Sequence, residues 1–77
     1  MYLPIEKIVK EKGVFRREEQ ENNIIYLGKK KTIKNNEVVE IEAIMMMNTV
    51  SGDEWIWSPS HKDLIVDDYV VAEKPKK

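Results

Sequence analysis

The sequence predicts an α+β fold: a small antiparallel sheet with a short N-terminal helix and a second short helix before the last strand. Three observations lead there. Apolar residues take helical spacing at the start, as Ile5, Ile8 and Val9. From Val14 onward they fall into short β-branched and aromatic runs. Near the end, Ser60-His61-Lys62-Asp63 has the form of a capping box and interrupts those runs.

Each element follows in order. Pro4 suits a first helical position, and Gly13 is a natural left-handed stop, so 4–12 reads as an amphipathic helix. Val14-Phe15-Arg16-Arg17 is too short for a helix and suits a strand. The polar run 18–23 has no apolar anchor and reads as a loop. Ile24-Ile25-Tyr26-Leu27 is a second strand, and Lys29 to Lys34 a basic connection with a short strand near Thr32-Ile33. Asn35-Asn36 marks a turn, because Asn tolerates positive φ. Val38 to Met47 is the longest strand candidate. Its late part is apolar on both alternating faces, which predicts cover on both. Ser51-Gly52-Asp53 turns the chain into Glu54-Trp55-Ile56-Trp57, with the two tryptophans on one face. A helix over roughly 61–67, with Leu64 and Ile65 inward, precedes a last strand at Tyr69-Val70-Val71-Ala72. Residues 1–73 form one domain, and 74–77 read as a disordered charged tail.

At 77 residues the chain holds a thin core, and small domains of this size gain from disulfides, a metal or partner subunits. Cysteine is absent and the single His61 cannot build a metal site alone, so self-association is the remaining route. No stretch approaches the length and apolarity of a membrane span, and the opening residues lack the form of a signal peptide. A cytoplasmic home is the simple expectation. The net charge of −1 divides unevenly, basic over residues 1–36 and acidic over 37–77. The division suits either a phosphate-facing surface or two oppositely charged faces that pair in an oligomer. A pI near 5.8 makes a general nucleic-acid binder unlike this chain.

No catalytic apparatus is legible, and no cofactor or metal is expected. There is no thiol nucleophile, Ser60 is accounted for by capping, and the three glycines stand singly with no phosphate loop. Binding residues are easier to find. Arg16 and Arg17 point to opposite faces of their strand, and either can fork onto a phosphate or pair with Glu18 or Glu21. Trp55 and Trp57 can stack on a nucleobase or anchor the core. The Lys29-Lys30-Lys31 run with Lys34 can meet phosphates or lie solvated in a loop, and Met45-Met46-Met47 suits a core or a subunit interface.

The order of features resembles one family. The stretch Ile5 to Arg17 is similar to the opening of the phage Thoeris anti-defence two family: a short helix, a Gly, then a strand bearing a basic residue. The stretch Trp57-Ser58-Pro59-Ser60-His61-Lys62-Asp63-Leu64-Ile65-Val66-Asp67-Asp68-Tyr69-Val70-Val71 resembles the family's ending. Met45 to Asp53 sits where the family has an apolar strand and a Gly-containing turn. One segment and two single positions depart from the pattern: Glu18-Glu19-Gln20-Glu21 replaces a Gly-Trp-Asn-Gly segment, Tyr69 a Trp, and His61 a Gln. The resemblance implies a homo-oligomer, dimer or tetramer, that binds a cyclic nucleotide immune signal without degrading it. That signal is a cyclic ADP-ribose isomer or a cyclic dinucleotide, held in the bacterial host cytoplasm during infection. It also implies a ligand set drawn from Arg16, Arg17, Asn48, Trp57, Ser58, Ser60 and Asp63. Trp57 would supply an aromatic plate and Arg16 a cation for pyrophosphate, while Asn48, Ser58 and Ser60 would donate to ribose hydroxyls. Asp63 either bonds ribose or caps its helix. A protein-interaction module docking on a host protein is the alternative, and a nucleic-acid binder using Lys29 to Lys34 a third.

Overall fold

The computed structural model describes residues 1–75, so the expected tail lies outside the described residues at 76 and 77. In chain order the elements are α1 (Ile5–Lys10), β1 (Phe15–Arg17), β2 (Asn23–Lys34), β3 (Glu37–Asn48), β4 (Glu54–Ile56), α2 (His61–Ile65) and β5 (Tyr69–Val71). The strands form one sheet in the order β4-β3-β2-β1-β5, with every neighbouring pair antiparallel. This is the predicted α+β architecture, with one helix near the N-terminus and one before the last strand.

The largest difference from expectation is the length of the central hairpin. The lysine run is not a connection but the outer half of a single 12-residue strand, β2, paired along its whole length with the 12-residue β3. The register explains why the lysines extend. Lys29 faces Glu42, Lys31 faces Glu40 and Lys34 faces Glu37, and opposite charges directly across a ladder stabilise it. The basic first half and acidic second half of the sequence therefore meet within one hairpin. Asn35 and Asn36 close it with φ of 52° and 63°, the left-handed pair that a two-residue hairpin turn requires.

Two clusters fill the two faces of the sheet base. On the α1 face, Ile8, Phe15, Ile25 and Tyr69 are buried, with Leu27, Ile44, Met46 and Trp57 packed against them. On the other face, Ile24, Tyr26 and Met45 are buried against Val14, Ala43, Met47 and Ala72. The apolar end of β3 is thus packed on both faces, as its pattern predicts. Beyond it, the outer half of the hairpin extends past both clusters and lengthens the molecule to 41 Å in a 41 × 28 × 23 Å outline.

Three local expectations are corrected. Leu64 and Ile65 do not point inward: they are 51% and 57% exposed, and no α2 residue is buried. α2 hangs from the sheet by polar contacts instead. It also ends at Ile65, because the Val66 cap is already extended with ψ of 156°. At the end of α1 the left-handed residue is Lys12, at φ 57°, and not Gly13. Gly13 is needed for space, since a Cβ there would lie 2.7 Å from the Phe15 ring. The chain after β5 crosses the second face, with Lys74 Nζ 4.1 Å from the centre of the Tyr26 ring. Among the described residues no helix is long and apolar enough to cross a membrane.

Candidate functional site

β1 is only three residues long, yet its alternation decides the site. Phe15 and Arg17 face the α1 side, and Arg17 stands in register with Tyr69 of β5. A cation sent into that apolar face must be neutralised, because an unpaired buried charge is costly. Arg17 is 7% exposed and forks onto Asp68, with Nε to Oδ1 and Nη2 to Oδ2 both at 3.1 Å. Its Nη1 donates to Asp63 Oδ1 at 3.0 Å. Asp63 Oδ2 in turn accepts the Ser60 backbone N–H at 2.8 Å and the Ser60 hydroxyl at 3.0 Å, and the Asp63 backbone N–H donates to Ser60 Oγ at 3.3 Å, which completes the predicted capping box. The Tyr69 hydroxyl donates to the Asp63 carbonyl at 2.6 Å.

The electrostatics follow from those contacts. Hydrogen bonding to Arg17 holds the Asp68 carboxyl below its ordinary range. Burial pushes the Asp63 carboxyl upward, but hydrogen bonds from Ser60 and Arg17 outweigh it and leave it lowered. Hydrogen bonding to Asp68 raises Arg17 against the opposing effect of burial, so it stays charged. Burial raises the Tyr69 hydroxyl. Of the two readings open for Arg17 in the sequence, the ion pair is the one formed, with Asp63 and Asp68 in place of Glu18 and Glu21.

Beside this network lies a small cleft lined by Arg16, Arg17, Gln20, Asn23, Trp57 and Asp63, together with Ile25, Met46 and Tyr69. Its enclosed volume is about 10 Å³, room for about one water molecule. Four of the seven sequence-derived residues therefore meet at one place: Arg16, Arg17, Trp57 and Asp63. Arg16 Nη1 reaches the carbonyls of Arg17 at 3.2 Å and Glu18 at 3.1 Å, and pairs with no carboxylate among the described residues. Trp57 is half-buried where its amide donates to the Ile44 carbonyl at 2.9 Å, while Trp55 is 40% exposed on the edge strand. Asn48 lies next to the cleft through Asn23, with Nδ2 3.5 Å from Asn23 Oδ1. Its own Oδ1 accepts from Val50 and Ser51 and so forms the turn before β4. Ser60 is occupied in capping, and Ser58 is exposed and outside the cleft lining.

Gln20 and Asn23 were missed by the sequence reading, which placed both in a featureless polar loop. The loop folds back tightly: the Gln20 amide donates to Arg17 at 3.0 Å and the Asn23 amide to Gln20 at 3.3 Å. One signal existed for Asn23, which stands two residues before the buried Ile25 and so shares its face. A second, wider hollow of about 240 Å³ lies on the other side under the C-terminal segment, lined by Met47, Glu54 and Pro75 among others.

Compared with known proteins, the chain matches no family model, no curated protein and no solved structure. The site must therefore be interpreted from its chemistry. Among the described residues no group of His, Asp or Glu is arranged to hold a metal ion. The cleft lining brings Trp57, Arg16, Gln20 and Asn23 together beside the Arg17–Asp63 pair, residue types suited to recognition.

Proposed function

We propose that this chain is a binding protein that captures a cyclic nucleotide signal, a cyclic ADP-ribose isomer or a cyclic dinucleotide, and holds it chemically unchanged. The observation that carries the reading is the meeting of Trp57, Arg16, Gln20 and Asn23 at one cleft. Trp57 offers a ring on which a base stacks, a contact worth about 1–3 kcal/mol. Arg16 supplies the guanidinium for a phosphate, since Arg17 is taken up by Asp63 and Asp68. Gln20 and Asn23 supply amide donors and acceptors for ribose hydroxyls or a base edge. The resemblance of 57–71 to the ending of a phage anti-defence family adds the context: a signal sequestered in the host cytoplasm never reaches its effector.

Size adds a condition. Small-molecule pockets usually enclose about 300–1,000 Å³, and this cleft alone encloses about 10 Å³, room for about one water molecule. A nucleotide therefore needs a second wall, which a second copy of the chain supplies in this proposal.

The test is thermal unfolding against cyclic ADP-ribose isomers and cyclic dinucleotides. A ligand at about 1,000 times its dissociation constant adds about 4 kcal/mol to stability. Arg16→Ala and Trp57→Ala should each remove the shift, and the ligand should be recovered intact after denaturation. A panel that moves nothing, or a ligand recovered cleaved, overturns the reading. One observation favours a second reading, docking on another protein. Leu64 and Ile65 form an apolar step on α2 that the chain itself leaves open.

A further inference from the structure

The outer half of the β2–β3 hairpin is a two-stranded ribbon with both edges open. β1 meets β2 only at Phe15 and Ile25, and β4 meets β3 only over Met45–Met47. From Lys29 to Ile33 and from Val38 to Glu42, no further strand pairs with the ribbon among the described residues. A lone two-stranded ribbon is marginally stable in water. Open edges also carry unpaired N–H and C=O groups that template another strand.

The hydrogen-bond parity shows which groups those are. Even-numbered residues of β3 aim their backbone away from β2: the Ile44 carbonyl accepts from Trp57, and the Asn48 amide donates to Asp53, both at 2.9 Å. The odd-numbered Thr49 donates instead to Asn22, on the β2 side, at 2.7 Å. The free groups on the β3 edge accordingly belong to Val38, Glu40 and Glu42, and those on the β2 edge to Lys29, Lys31 and Ile33. Each edge thus carries charge at two of its three open positions.

That charge selects the partner. Pairing β3 with the same strand of another copy puts glutamate against glutamate, and pairing β2 with its own copy puts lysine against lysine. Like charges directly opposite are destabilising. β3 against a second copy's β2 does the reverse. Antiparallel, in the register the hairpin already uses within the chain, it sets Glu42 against Lys29, Glu40 against Lys31 and Val38 against Ile33. Those are the residues whose backbone groups point outward, so each pair can exchange both N–H···O bonds.

We propose that the outer edge of β3 is a docking edge for the outer edge of β2 in a second copy of this chain, with Glu40 and Glu42 facing Lys31 and Lys29 across the junction. The contact is heterologous, so copies close into a ring or extend as a ribbon of sheet. It is separate from the Trp57 cleft and stands whether or not that cleft binds a nucleotide.

The experiment uses the full chain without nucleotide and measures mass by light scattering and sedimentation across a wide concentration range, with amide hydrogen exchange alongside. The expected result is a mass above the monomer. The amides of Lys29, Lys31, Ile33, Val38, Glu40 and Glu42 should become protected as concentration rises. Lys31→Pro and Glu40→Pro each remove an outward N–H and no bond within the hairpin, a site where an edge strand tolerates proline. Both should keep the sheet by circular dichroism and return the chain to monomer. If either fails to fold, the exchange pattern of the unaltered chain still decides. A chain that stays monomeric at every concentration, or an oligomer whose protection lies outside those six amides, overturns the proposal. So does an edge that is protected only when an unrelated lysine-rich strand is added.

Discussion

Arg17 and Asp68, 51 positions apart in the chain, are joined by two parallel hydrogen bonds of 3.1 Å each. The pair sits where β1 meets β5, and the third nitrogen of the same guanidinium holds Asp63 at the start of α2. One side chain thus ties the last strand and the second helix to the sheet. Removing it leaves two carboxylates facing each other without a cation. Arg17→Met should therefore lower the melting temperature by on the order of 10 °C, with lysine rescuing only part because it cannot fork. Calorimetry on Arg17→Met, Asp68→Asn and the double variant checks this. The double variant should lose less than the sum of the singles, and simple additivity would show the pair is uncoupled.

The same contacts set the response to acid. Asp63 and Asp68 both sit below their ordinary value of 3.8. The unfolded chain thus binds protons more readily than the folded one as pH falls through 3.8. Stability supplied by these groups is complete above that value and lost as pH drops toward the lowered folded values. The alkaline side mirrors it. Burial and the hydrogen bond to Glu54 raise Tyr26 above its ordinary 10.0, and burial raises Tyr69. Above pH 10 the unfolded tyrosines ionise first, so stability falls as pH rises. Urea midpoints measured across pH should give a plateau between the two limbs. Asp68→Asn should flatten the acid limb and Tyr26→Phe the alkaline one.

The hairpin turn gives a sharper local test. Asn35 and Asn36 both hold positive φ, a region that costs an ordinary L-residue about 1–2 kcal/mol. Asn36→Val should destabilise by about that amount, and Asn36→Gly should be neutral or slightly stabilising. Equilibrium unfolding in urea separates the outcomes, and a harmless valine would mean the turn is not of this type.

How much of this was legible in advance depends on how local the cause is. The Ser60–Asp63 capping box and the Asn35-Asn36 turn are decided by neighbouring residues, and both were readable. The fold class was readable too, because the apolar spacing changes from helical to alternating after Gly13. The extension of β2 through its lysines was not, since what favours it is the row of glutamates across the ladder on another segment, with Lys29 Nζ 3.6 Å from Glu40 Oε1. Arg17 shows the same limit. Alternation said that one of two arginines goes inward, but only the docking of β5 reveals that Asp68 awaits it. Leu64 and Ile65 failed for a different reason: α2 is attached by polar groups, so its apolar residues carry no information about which side faces in.

Gly28 marks a close approach that sequence alone left unexplained. A Cβ built there would lie 2.8 Å from Met45 Cγ and 3.2 Å from the Tyr26 ring. Both neighbours belong to the buried cluster on the second face, so they have little room to yield. Gly28→Ala should destabilise by about 1–3 kcal/mol through overpacking, although alanine ordinarily suits a strand interior better than glycine. Combining it with Met45→Ala should recover part of the loss, and no recovery would place the strain elsewhere.

The exposed step on α2 can be separated from the core by the cost of removing it. Ile8 and Ile25 are fully buried, and truncating either to alanine should cost about 2–5 kcal/mol. Leu64 and Ile65 are more than half exposed, and Leu64→Ser or Ile65→Ser should change stability by no more than about 0.5 kcal/mol. A larger loss in the isolated monomer would mean that α2 packs inward after all. Where both serine variants keep full stability, they become clean probes of the surface. If the proposed nucleotide binds them as tightly as it binds the parent chain, the apolar step of α2 takes no part in the pocket, to which the same helix brings Asp63. Loss of binding with stability intact would place α2 at the second wall of that pocket, since a copy docking there would lose its apolar contact.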